Sequence, residues 1–324
     1  MFRKAVLIAV LACPAFAGTP CHVVIMSGQS NMVGDEGLDQ LVYNGHDFSL
    51  PQADVLEDYN IDLVEKAAGW GPLQPHTEVP NTTYGCELTF GRDLTDDGPG
   101  VQVAIIKVAV GGSNLASRWS PDNHGDLYDN LIDQVTRSMN ELVGLGYDPV
   151  ITGFAWWQGD ADLWVPEWTY AYEANLTYLV QSIRTDLSAP DMHALIVQTP
   201  IGQNKPADLV AVMRQAKADF VANDAHASLI ATDDLTFRDN GIHIDGTGRL
   251  IVGERLAAAY IADSVFGSPC PVDLDGNGVL DLDDVGLFAG AFGAGNLAAD
   301  LDGNGVLNLD DVNSFAAIFA AGCP

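Results

Sequence analysis

Positively charged residues are scarce in this chain. Its 324 residues include 14 Lys and Arg against 44 Asp and Glu, which gives a formal charge of −30 at pH 7. Nucleic acids and anionic membrane surfaces repel a protein with such a charge, so neither is an expected partner. The shortage is complete near the C-terminus, because residues 271–324 contain nine Asp but no Glu, Lys or Arg.

The N-terminal hydrophobic run lacks the length needed to cross a membrane. It covers residues 5–12, follows two basic residues and precedes an Ala-x-Ala sequence that ends at Ala17. This pattern predicts a cleaved signal peptide over residues 1–17, and hence a secreted or cell-surface protein without membrane insertion. A lipid anchor on Cys13 is the alternative, although the proline that follows this cysteine favours simple cleavage.

Cysteine is sparse, with five residues in the chain, and those outside the predicted signal peptide are Cys21, Cys86, Cys270 and Cys323. An even number in an exported protein indicates disulfide bonds. We favour the pairs Cys21–Cys86 and Cys270–Cys323, since each then joins residues of one predicted domain. Four free, buried thiols are the alternative, which an oxidising compartment disfavours.

Residues 21–266 alternate apolar, strand-like runs with amphipathic helical stretches. The clearest predicted strands are 101–110, 151–157, 194–198 and 228–232, and the predicted helices are 128–143, 170–187, 209–223 and 249–266. This alternation predicts an α/β fold in which helices cover both faces of a parallel sheet. We interpret the less regular residues 38–85 as a long excursion over the edge of the sheet, of the kind that shapes a pocket.

The acidic C-terminal segment contains a repeat. The sequence DLDGNGVLD at 273–281 returns 27 residues later as DLDGNGVLN. Oxygen-bearing side chains at positions 1, 3, 5, 9 and 12, glycine at 6 and a backbone carbonyl at 7 are the spacing of a calcium-binding loop. The predicted ligands are Asp273, Asp275, Asn277, Val279, Asp281 and Asp284, and then Asp300, Asp302, Asn304, Val306, Asn308 and Asp311. A helix with matching apolar positions follows each loop, so the two helices are expected to pack together.

This segment resembles the type I dockerin family over residues 271–324. The resemblance implies a small all-α module over 267–324 that binds structural calcium and contacts a protein or the cell surface. The sequence departs from the family pattern at positions 3 and 5, where Asp and Asn stand in the reverse order. Positions 10 and 11 are Leu and Asp in both copies, instead of the small hydroxyl residues that the family uses for partner recognition.

A nucleophile is predicted where the first strand ends. The apolar run 23–26 breaks into Gly-Gln-Ser-Asn at 28–31, a turn that can lift Ser30 clear of the C-terminal edge of the sheet. Open α/β sheets bind their ligands at that edge, and a serine presented there is a candidate nucleophile. His243, in the loop before the last helix, can reach back over the edge and act as general base. Taken alone, each of these segments could also be an ordinary loop.

Two further strand ends can supply oxyanion donors. The run 108–110 ends in Gly-Gly-Ser, and glycine at 112 lets a backbone N–H approach a ligand closely. A backbone donor near a nucleophile can stabilise an oxyanion. Gln158 follows the strand 151–157 and can donate its side-chain amide to the same atom.

Together these four segments resemble the SGNH hydrolase superfamily, and within it the group of sialate O-acetylesterases and carbohydrate esterase family 6. The residues that carry the resemblance are GQSNM at 28–32, VGGS at 110–113, Trp119, WWQGDAD at 156–162 and GIHIDGTG at 241–248, together with YGCE at 84–87 and FG at 90–91. The resemblance covers residues 21–262. It implies a three-layer α/β/α sandwich as the fold of a catalytic domain over 18–266.

The resemblance also implies the roles of the site residues. Ser30 is the nucleophile and His243 the base. The backbone N–H groups of Ser30 and Gly112 form the oxyanion hole, together with the side chain of Gln158. No cofactor is expected for catalysis.

The acid that orients His243 is left open by the sequence. The family has Asp three residues before the histidine, where this chain has Asn240, which cannot supply a negative charge to an imidazolium. Asp160 stands where this branch has Glu and is the first candidate. Asp239 is the second, and a backbone carbonyl is the third.

The sequence therefore predicts an exported serine carboxylic-ester hydrolase that removes O-acetyl groups from a polysaccharide, such as acetylated xylan, or from sialic acid. Trp70, Trp157, Trp164 and Trp168 are candidates for a sugar-binding surface, and packing in the core is their alternative role. Hydrolysis of short-chain aryl or lipid esters is one alternative function. A non-catalytic carbohydrate-binding or surface-attached protein is the other.

Overall fold

A computed structural model of the chain describes residues 18–36, 41–67, 69–77, 83–96, 102–124, 126–202, 204–238, 241–262, 272, 274, 280–296, 299–301 and 306–321. The strands within these ranges are β1 (Thr19–Gly28), β2 (Asp35–Glu36), β3 (Val42–Tyr43), β4 (His46–Asp47), β5 (Gln52–Ile61), β6 (Val64–Glu65), β7 (Gly71–Leu73), β8 (Thr83–Tyr84), β9 (Gln102–Ala109), β10 (Tyr147–Trp157), β11 (His193–Val197) and β12 (Ala227–Ile230).

The helices within the described ranges are α1 (Ser30–Val33), α2 (Glu87–Asp96), α3 (Leu127–Gly144), α4 (Pro166–Tyr170), α5 (Tyr172–Asp186), α6 (Ala207–Asn223), α7 (Gly246–Ala262), α8 (Leu282–Ala294) and α9 (Leu309–Ala321), and a 3₁₀ turn lies at Asp162–Trp164. Within these described ranges, no helix is long and apolar enough to cross a membrane.

Eight of the described strands form one mostly parallel sheet. Its order is β12-β11-β10-β1-β9-β5-β6, with β7 also paired to β5. The neighbours from β12 through β5 run parallel, whereas β6 and β7 pair with β5 in the antiparallel direction. The predicted α/β fold with a parallel sheet is therefore confirmed. Parallel strands share one C-terminal edge, which brings the ends of β1, β9, β10 and β11 together.

The sheet is buried on both faces. Residues 23–26 of β1 are fully buried, and they alternate between two hydrophobic clusters. One cluster takes Val23 and Ile25 together with side chains of α3, α5 and α6. The other takes Val24 and Met26 together with side chains of α2 and α7. Burial on both faces explains why the strands have apolar residues throughout rather than at every second position.

The interpretation of residues 38–85 as an excursion beyond the sheet is wrong for β5. This ten-residue strand pairs in parallel with β9 inside the main sheet. Its polar residues hid it in the sequence, because Glu57, Asp58 and Asn60 are buried by specific partners. The Asp58 carboxylate, for example, accepts hydrogen bonds from Gln134 Nε2 at 2.7 Å and from Ser138 Oγ at 2.6 Å.

The predicted Cys21–Cys86 disulfide is also wrong. Both thiols are free and buried. They belong to different hydrophobic clusters, so the sheet lies between Cys21 on one face and Cys86 on the other. Burial raises the pKa of each thiol to about 12. Cys270 and Cys323, the second predicted pair, lie outside the described residues.

The two C-terminal helices pack through aromatic side chains, as the repeat predicts. Phe288 of α8 and Phe315 of α9 are both buried, and their rings stack with centroids 4.2 Å apart. Phe292 and Phe319 follow one helical turn further on; the Phe292 ring is tilted against Phe288, and the Phe319 ring stacks on Phe315. The buried Val272 and Ala299 belong to the same cluster.

Candidate active site

The turn that presents Ser30 is fixed by close contact between β1 and β10. Gly28 has a φ of +150°, and a Cβ atom there would lie 2.2 Å from the carbonyl oxygen of Trp157, so a side chain is excluded. The next residue, Gln29, donates its backbone N–H to the same carbonyl at 3.1 Å. The chain then turns directly into α1, whose first residue is Ser30.

The side chain of Gln29 ties this turn to the loop after β10. Its Oε1 atom accepts hydrogen bonds from the backbone N–H of Gly159 at 3.2 Å and of Ala161 at 3.1 Å. The side chain is buried, so water does not compete for these bonds. The turn that presents Ser30 and the loop that follows β10 are thereby held together.

Ser30 and His243 meet at the C-terminal edge of the sheet. The Oγ atom of Ser30 lies 3.0 Å from Nε2 of His243, and both residues are partly exposed. A neutral imidazole can accept the serine proton at this distance. Segments 236–238 and 243–245 pair in the antiparallel direction and are called the histidine hairpin below. Arg238 donates its N–H to the His243 carbonyl at 2.9 Å, and Asp245 donates to that of Thr236 at 3.0 Å.

Gly112 lies in the loop after β9, where it meets open space. Its φ is +65°, and a Cβ atom there would have no neighbour within 4 Å. The preceding residue, Gly111, is anchored through its N–H to the Asp62 carboxylate at 2.7 Å. The Ser30 N–H belongs to the first turn of α1, where backbone donors have no partner within the helix. The assignment of these two N–H groups to an oxyanion hole stays a prediction.

The amide group of Gln158 is engaged with neighbouring residues. Its Nε2 atom donates to the carbonyl of Ser113 at 3.1 Å and to Asp162 Oδ2 at 2.6 Å, which uses both amide hydrogens. Tyr172 donates its hydroxyl to Oε1 at 2.9 Å. In this arrangement Gln158 braces the loop, and its predicted donation to an oxyanion would need one of these bonds to open.

Asp162 joins the loops after β9 and β10. Its fully buried carboxylate accepts the N–H groups of Leu115 at 2.9 Å and Ala116 at 3.0 Å, in addition to Gln158. Burial raises the pKa of this carboxyl above its ordinary value. The sequence motif contained this aspartate. Nothing in the pattern, however, indicated that Asp162 joins two loops by hydrogen bonds whereas Asp160 is the candidate acid.

The candidate acid Asp160 contacts a lysine. Its Oδ1 atom lies 2.5 Å from Lys205 Nζ, and Asn31 donates to its Oδ2 at 3.4 Å. Lys205 follows β11 and also donates to the Pro200 carbonyl at 3.1 Å. The other candidate, Asp239, lies outside the described residues. The identity of the acid that orients His243 therefore stays open.

A second lysine is buried beneath the same loop. Lys217 of α6 is fully buried and donates to the carbonyl oxygens of Gln158 at 2.6 Å and Val197 at 2.8 Å. Burial lowers the pKa of its ammonium group to about 7. Sequence reasoning missed Lys205 and Lys217, although each is one of only 14 basic residues in the chain.

A buried group of charged residues lies beside the nucleophile turn, between β5, α2 and β9. Lys107 Nζ contacts Glu87 Oε2 at 2.6 Å and donates to the carbonyl of Val33, the last residue of α1, at 3.2 Å. His76 Nε2 lies 2.8 Å from Glu57 Oε1. All four charged or titratable side chains are fully shielded from solvent. Burial is the largest single influence on the pKa of Glu87 and would raise it. The charges of Lys107 and His76 and the hydrogen bonds to Glu87 together outweigh burial, so the pKa of Glu87 is lowered from its ordinary value.

The four candidate tryptophans differ in exposure. Trp157 is 1% exposed and belongs to the core. Trp70 is partly buried and donates its indole N–H to the Ser138 carbonyl at 2.9 Å. Trp168 is partly buried, whereas Trp164 is 59% exposed at the end of the 3₁₀ turn that Asp162 begins. Trp164 is thus the most accessible of the four.

The predicted calcium ligands are only partly described. Asp273, Asp275, Asn277, Val279, Asp302 and Asn304 lie outside the described residues, whereas Asp281, Asp284, Asp300, Val306, Asn308 and Asp311 lie within them. Among the residues that the structure covers, no group of three or more His, Cys, Asp and Glu is arranged to hold a metal.

The twelfth-position carboxylates nevertheless fold into their loops in the same way. Asp284 is buried and accepts the N–H groups of Leu274 at 2.7 Å and Asp281 at 2.9 Å. Asp311 is also buried, and it accepts those of Leu301 at 3.0 Å and Asn308 at 2.8 Å. Each twelfth-position carboxylate thus accepts two backbone N–H groups of its own repeat, and calcium binding there stays a prediction.

Comparison with known proteins identifies the larger part of the chain. A family model described as carbohydrate esterase, sialic acid-specific acetylesterase, matches residues 20–262. A protein from Arabidopsis thaliana named as a probable carbohydrate esterase is 21% identical over 254 residues, which span 75% of this chain and 92% of that protein.

Solved structures give the same fold. The Arabidopsis thaliana protein superimposes with a TM-score of 0.59 at 18% identity, over 76% of this chain and 98% of its own. NanS gives 0.57 at 14% identity, over 76% and 98%. A carbohydrate acetylesterase from Xanthomonas citri gives 0.53 at 18% identity, over 75% and 56%.

Proposed function

The chain belongs to the carbohydrate esterase family of sialic acid-specific acetylesterases, and from this premise we propose that it is an exported serine esterase that removes O-acetyl groups from carbohydrates. The single observation that carries the proposal is the 3.0 Å contact between Ser30 Oγ and His243 Nε2. A serine hydroxyl is a weak nucleophile until a base accepts its proton, and this contact supplies the base.

The reaction follows from that pair. Ser30 Oγ attacks the acetyl carbonyl carbon while its proton passes to His243 Nε2, and the carbonyl oxygen becomes an oxyanion. Collapse of this intermediate breaks the bond to the sugar oxygen, which takes the proton from His243 and leaves as a free hydroxyl. Water then gives a proton to His243 and attacks the acetyl group on Ser30. Release of acetate returns that proton to the serine.

Charge on the oxyanion needs donors close to Ser30. The backbone N–H groups of Ser30 and Gly112 are proposed for this role. Gly112 is supported by its exposure to open space at the same sheet edge and by the anchoring of Gly111 to Asp62. Loss of one such donor typically lowers kcat by about 10²–10³-fold.

An acetyl-release assay across acetylated xylan, O-acetyl sialic acid and simple aryl and acyl esters tests the proposal. We expect acetate from a carbohydrate ester, and loss of this release by at least about 10³-fold in Ser30→Ala. Ser117→Ala removes a hydroxyl from an exposed loop position and is the matched control, which should keep full activity. Turnover of aryl or lipid esters alone would contradict a carbohydrate substrate.

A serine-directed phosphonate separates a functional site from an inactive one. Covalent modification at Ser30, located by peptide mass spectrometry, is the expected result. Absence of labelling together with absence of turnover would favour the non-catalytic, carbohydrate-binding alternative.

Export and calcium binding complete the proposal. The signal-peptide pattern supports a mature N-terminus at Gly18, which mass spectrometry of the secreted protein would test. In the C-terminal repeat, Asp284 and Asp311 with the other predicted ligands would hold calcium, which would act there as a structural ion. This module is proposed to contact a protein or cell-surface partner.

A further inference from the structure

The side chain of Asn31 contacts the backbone on both sides of His243. Its Nδ2 atom donates to the carbonyl oxygen of Ile242 at 3.2 Å. Its Oδ1 atom accepts the backbone N–H of Ile244 at 3.1 Å. Asn31 follows Ser30 directly in the chain. The residue next to the nucleophile therefore hydrogen-bonds to both neighbours of His243.

The surroundings of Asn31 hold this amide in one orientation. The residue is fully buried, and its Nδ2 atom also faces Asp160 Oδ2 at 3.4 Å. On the acceptor side, Arg249 Nη2 donates to Oδ1 at 3.4 Å. The negative carboxylate beside Nδ2 and the positive guanidinium beside Oδ1 both favour this orientation of the amide over one in which Nδ2 and Oδ1 are exchanged. A side-chain amide donates through its nitrogen and accepts through its oxygen, so one Asn can hold both peptide groups at the same time.

We propose that Asn31 is a positioning residue that sets the distance between Ser30 and His243; the inference rests on the esterase function proposed above. The bonds from Arg238 and Asp245 close the histidine hairpin on itself. The bonds of Asn31 join that hairpin to the nucleophile turn. Fixing the peptide groups before and after His243 fixes the direction of its Cα–Cβ bond, and with it the place of Nε2.

The chemistry requires such a link because the two catalytic side chains come from segments 213 residues apart in sequence. Proton transfer demands a heavy-atom separation of about 2.6–3.2 Å, and displacement by about 1 Å can cost about 100-fold in rate. A hairpin that moves away from α1 by that amount would leave substrate binding largely intact while slowing the chemical step.

Two variants test the inference on the full chain. Asn31→Ala removes both bonds. Asn31→Asp keeps the size and the acceptor for Ile244 but lacks the hydrogen for Ile242, and it remains informative if the alanine variant fails to fold. Gln52→Ala is the matched control. Gln52, on β5, is also a buried amide, and it donates to the backbone carbonyl of Leu88 at 3.0 Å.

The readouts are kcat and KM on 4-nitrophenyl acetate and the rate of Ser30 labelling by a serine-directed phosphonate, with thermal unfolding as the check on folding. We expect both Asn31 variants to lose about 100-fold in kcat and in labelling rate, with KM within about threefold of wild type. The Gln52 control should lose thermal stability but keep kcat. A residue with a purely structural role would behave as the control does.

Folded Asn31 variants with wild-type kcat and labelling rate would overturn the inference. A wild-type protein that releases no acetate from any ester would instead overturn the proposed function. The labelling rate would still decide the role of Asn31 in that case, because phosphonate attack needs the Ser30–His243 contact but no acetylated sugar.

Discussion

The ammonium group of Lys205 lies 2.5 Å from the carboxylate of Asp160, with the two side chains 1% and 8% exposed. The pair lies at the sheet edge that also holds Ser30 and His243. Lys205 comes from the loop after β11 and Asp160 from the loop after β10, so the ion pair ties two neighbouring strand ends together. The carboxylate that the sequence offers first for orienting His243 thus has a cation as its nearest partner.

Removal of both members of this pair should destabilise the protein by less than the sum of the two single removals. Asp160→Asn or Lys205→Met leaves one buried charge uncompensated, which costs about 3–5 kcal/mol in the free energy of unfolding. The double variant removes both charges and should cost less than the sum of the single changes. Urea unfolding of the four proteins measures the coupling. Additive losses would mean that the pair does not interact.

Turnover of the same variants shows which acid orients His243. Because Asp160 is held by Lys205, we expect Asp160→Asn to lower kcat by far less than the roughly 10⁴-fold loss of an acid that contacts the base. Lys205→Met should then lower kcat by about as much as Asp160→Asn does. Asp239→Asn is measured in the same assay, because Asp239 is the second candidate acid. A full loss in Asp160→Asn with a neutral Lys205→Met would assign the role to Asp160. Unchanged rates in both aspartate variants would leave a backbone carbonyl.

Cys21 and Cys86 should be titratable thiols in the unreduced protein. Unfolding in guanidinium without reductant, followed by iodoacetamide, should alkylate both, as measured by peptide mass spectrometry. In the folded protein they should react slowly, since each is buried and has a pKa raised to about 12. Recovery of a peptide in which Cys21 and Cys86 are disulfide-linked would contradict the structure.

Lys217 should make stability rise with pH above neutrality. Its pKa is about 7 in the folded protein against an ordinary 10.5, so between these values the unfolded chain binds the extra proton. Stability therefore increases with pH in that window, by up to about 1.4 kcal/mol per pH unit, and this contribution is flat below pH 7.

Comparison with Lys217→Met isolates this effect from other titrating groups. The difference in unfolding free energy between wild type and variant, measured in urea from pH 6 to 9.5, should be constant below about pH 7 and grow above it. A difference that stays constant up to pH 9.5 would show that the folded lysine keeps its proton.

Calcium should bind the C-terminal repeat with about one equivalent per loop. We expect calorimetric titration of the full protein, after treatment with a chelator, to give about two sites, and Asp284→Ala to remove one of them. Asp283→Ala is the matched control, because its side chain is exposed on the same turn of α8. Equal stoichiometry in the two variants would contradict the ligand assignment. Chelation should leave the proposed ester hydrolysis at Ser30 unchanged, because that site lies outside the C-terminal repeat.

The strand ends that build the site were readable from sequence because each combines a local signal with a fixed place in the fold. An apolar run followed by glycine marks the end of a buried strand, and parallel strands bring such ends to one edge. Ser30 was therefore predictable at that edge, and the loop before the last helix was the place from which His243 could reach it. The engagement of Gln158 with Ser113 and Asp162 was not predictable, since nothing in a linear motif says which neighbour occupies an amide.

Charged residues that are buried against specific polar partners were harder to predict than apolar core residues. Strand β5 contains several polar residues, yet Glu57 in it is fully buried against His76, which lies 19 residues further along the chain. Lys107 was visible as a lysine within an apolar strand, but its partner Glu87 had to be placed by the packing of α2. The Cys21–Cys86 prediction was wrong for a related reason, because proximity in a domain says nothing about the face of the sheet.

The placement of those two thiols gives the protein a pair of built-in reporters. Cys21 lies in the layer with α3, α5 and α6, and Cys86 in the layer with α2 and α7. Under mildly destabilising conditions, each thiol can be alkylated only when its own layer opens. The ratio of their two labelling rates therefore shows whether the two sides of the sheet come apart as one cooperative unit or in sequence, without any engineered probe.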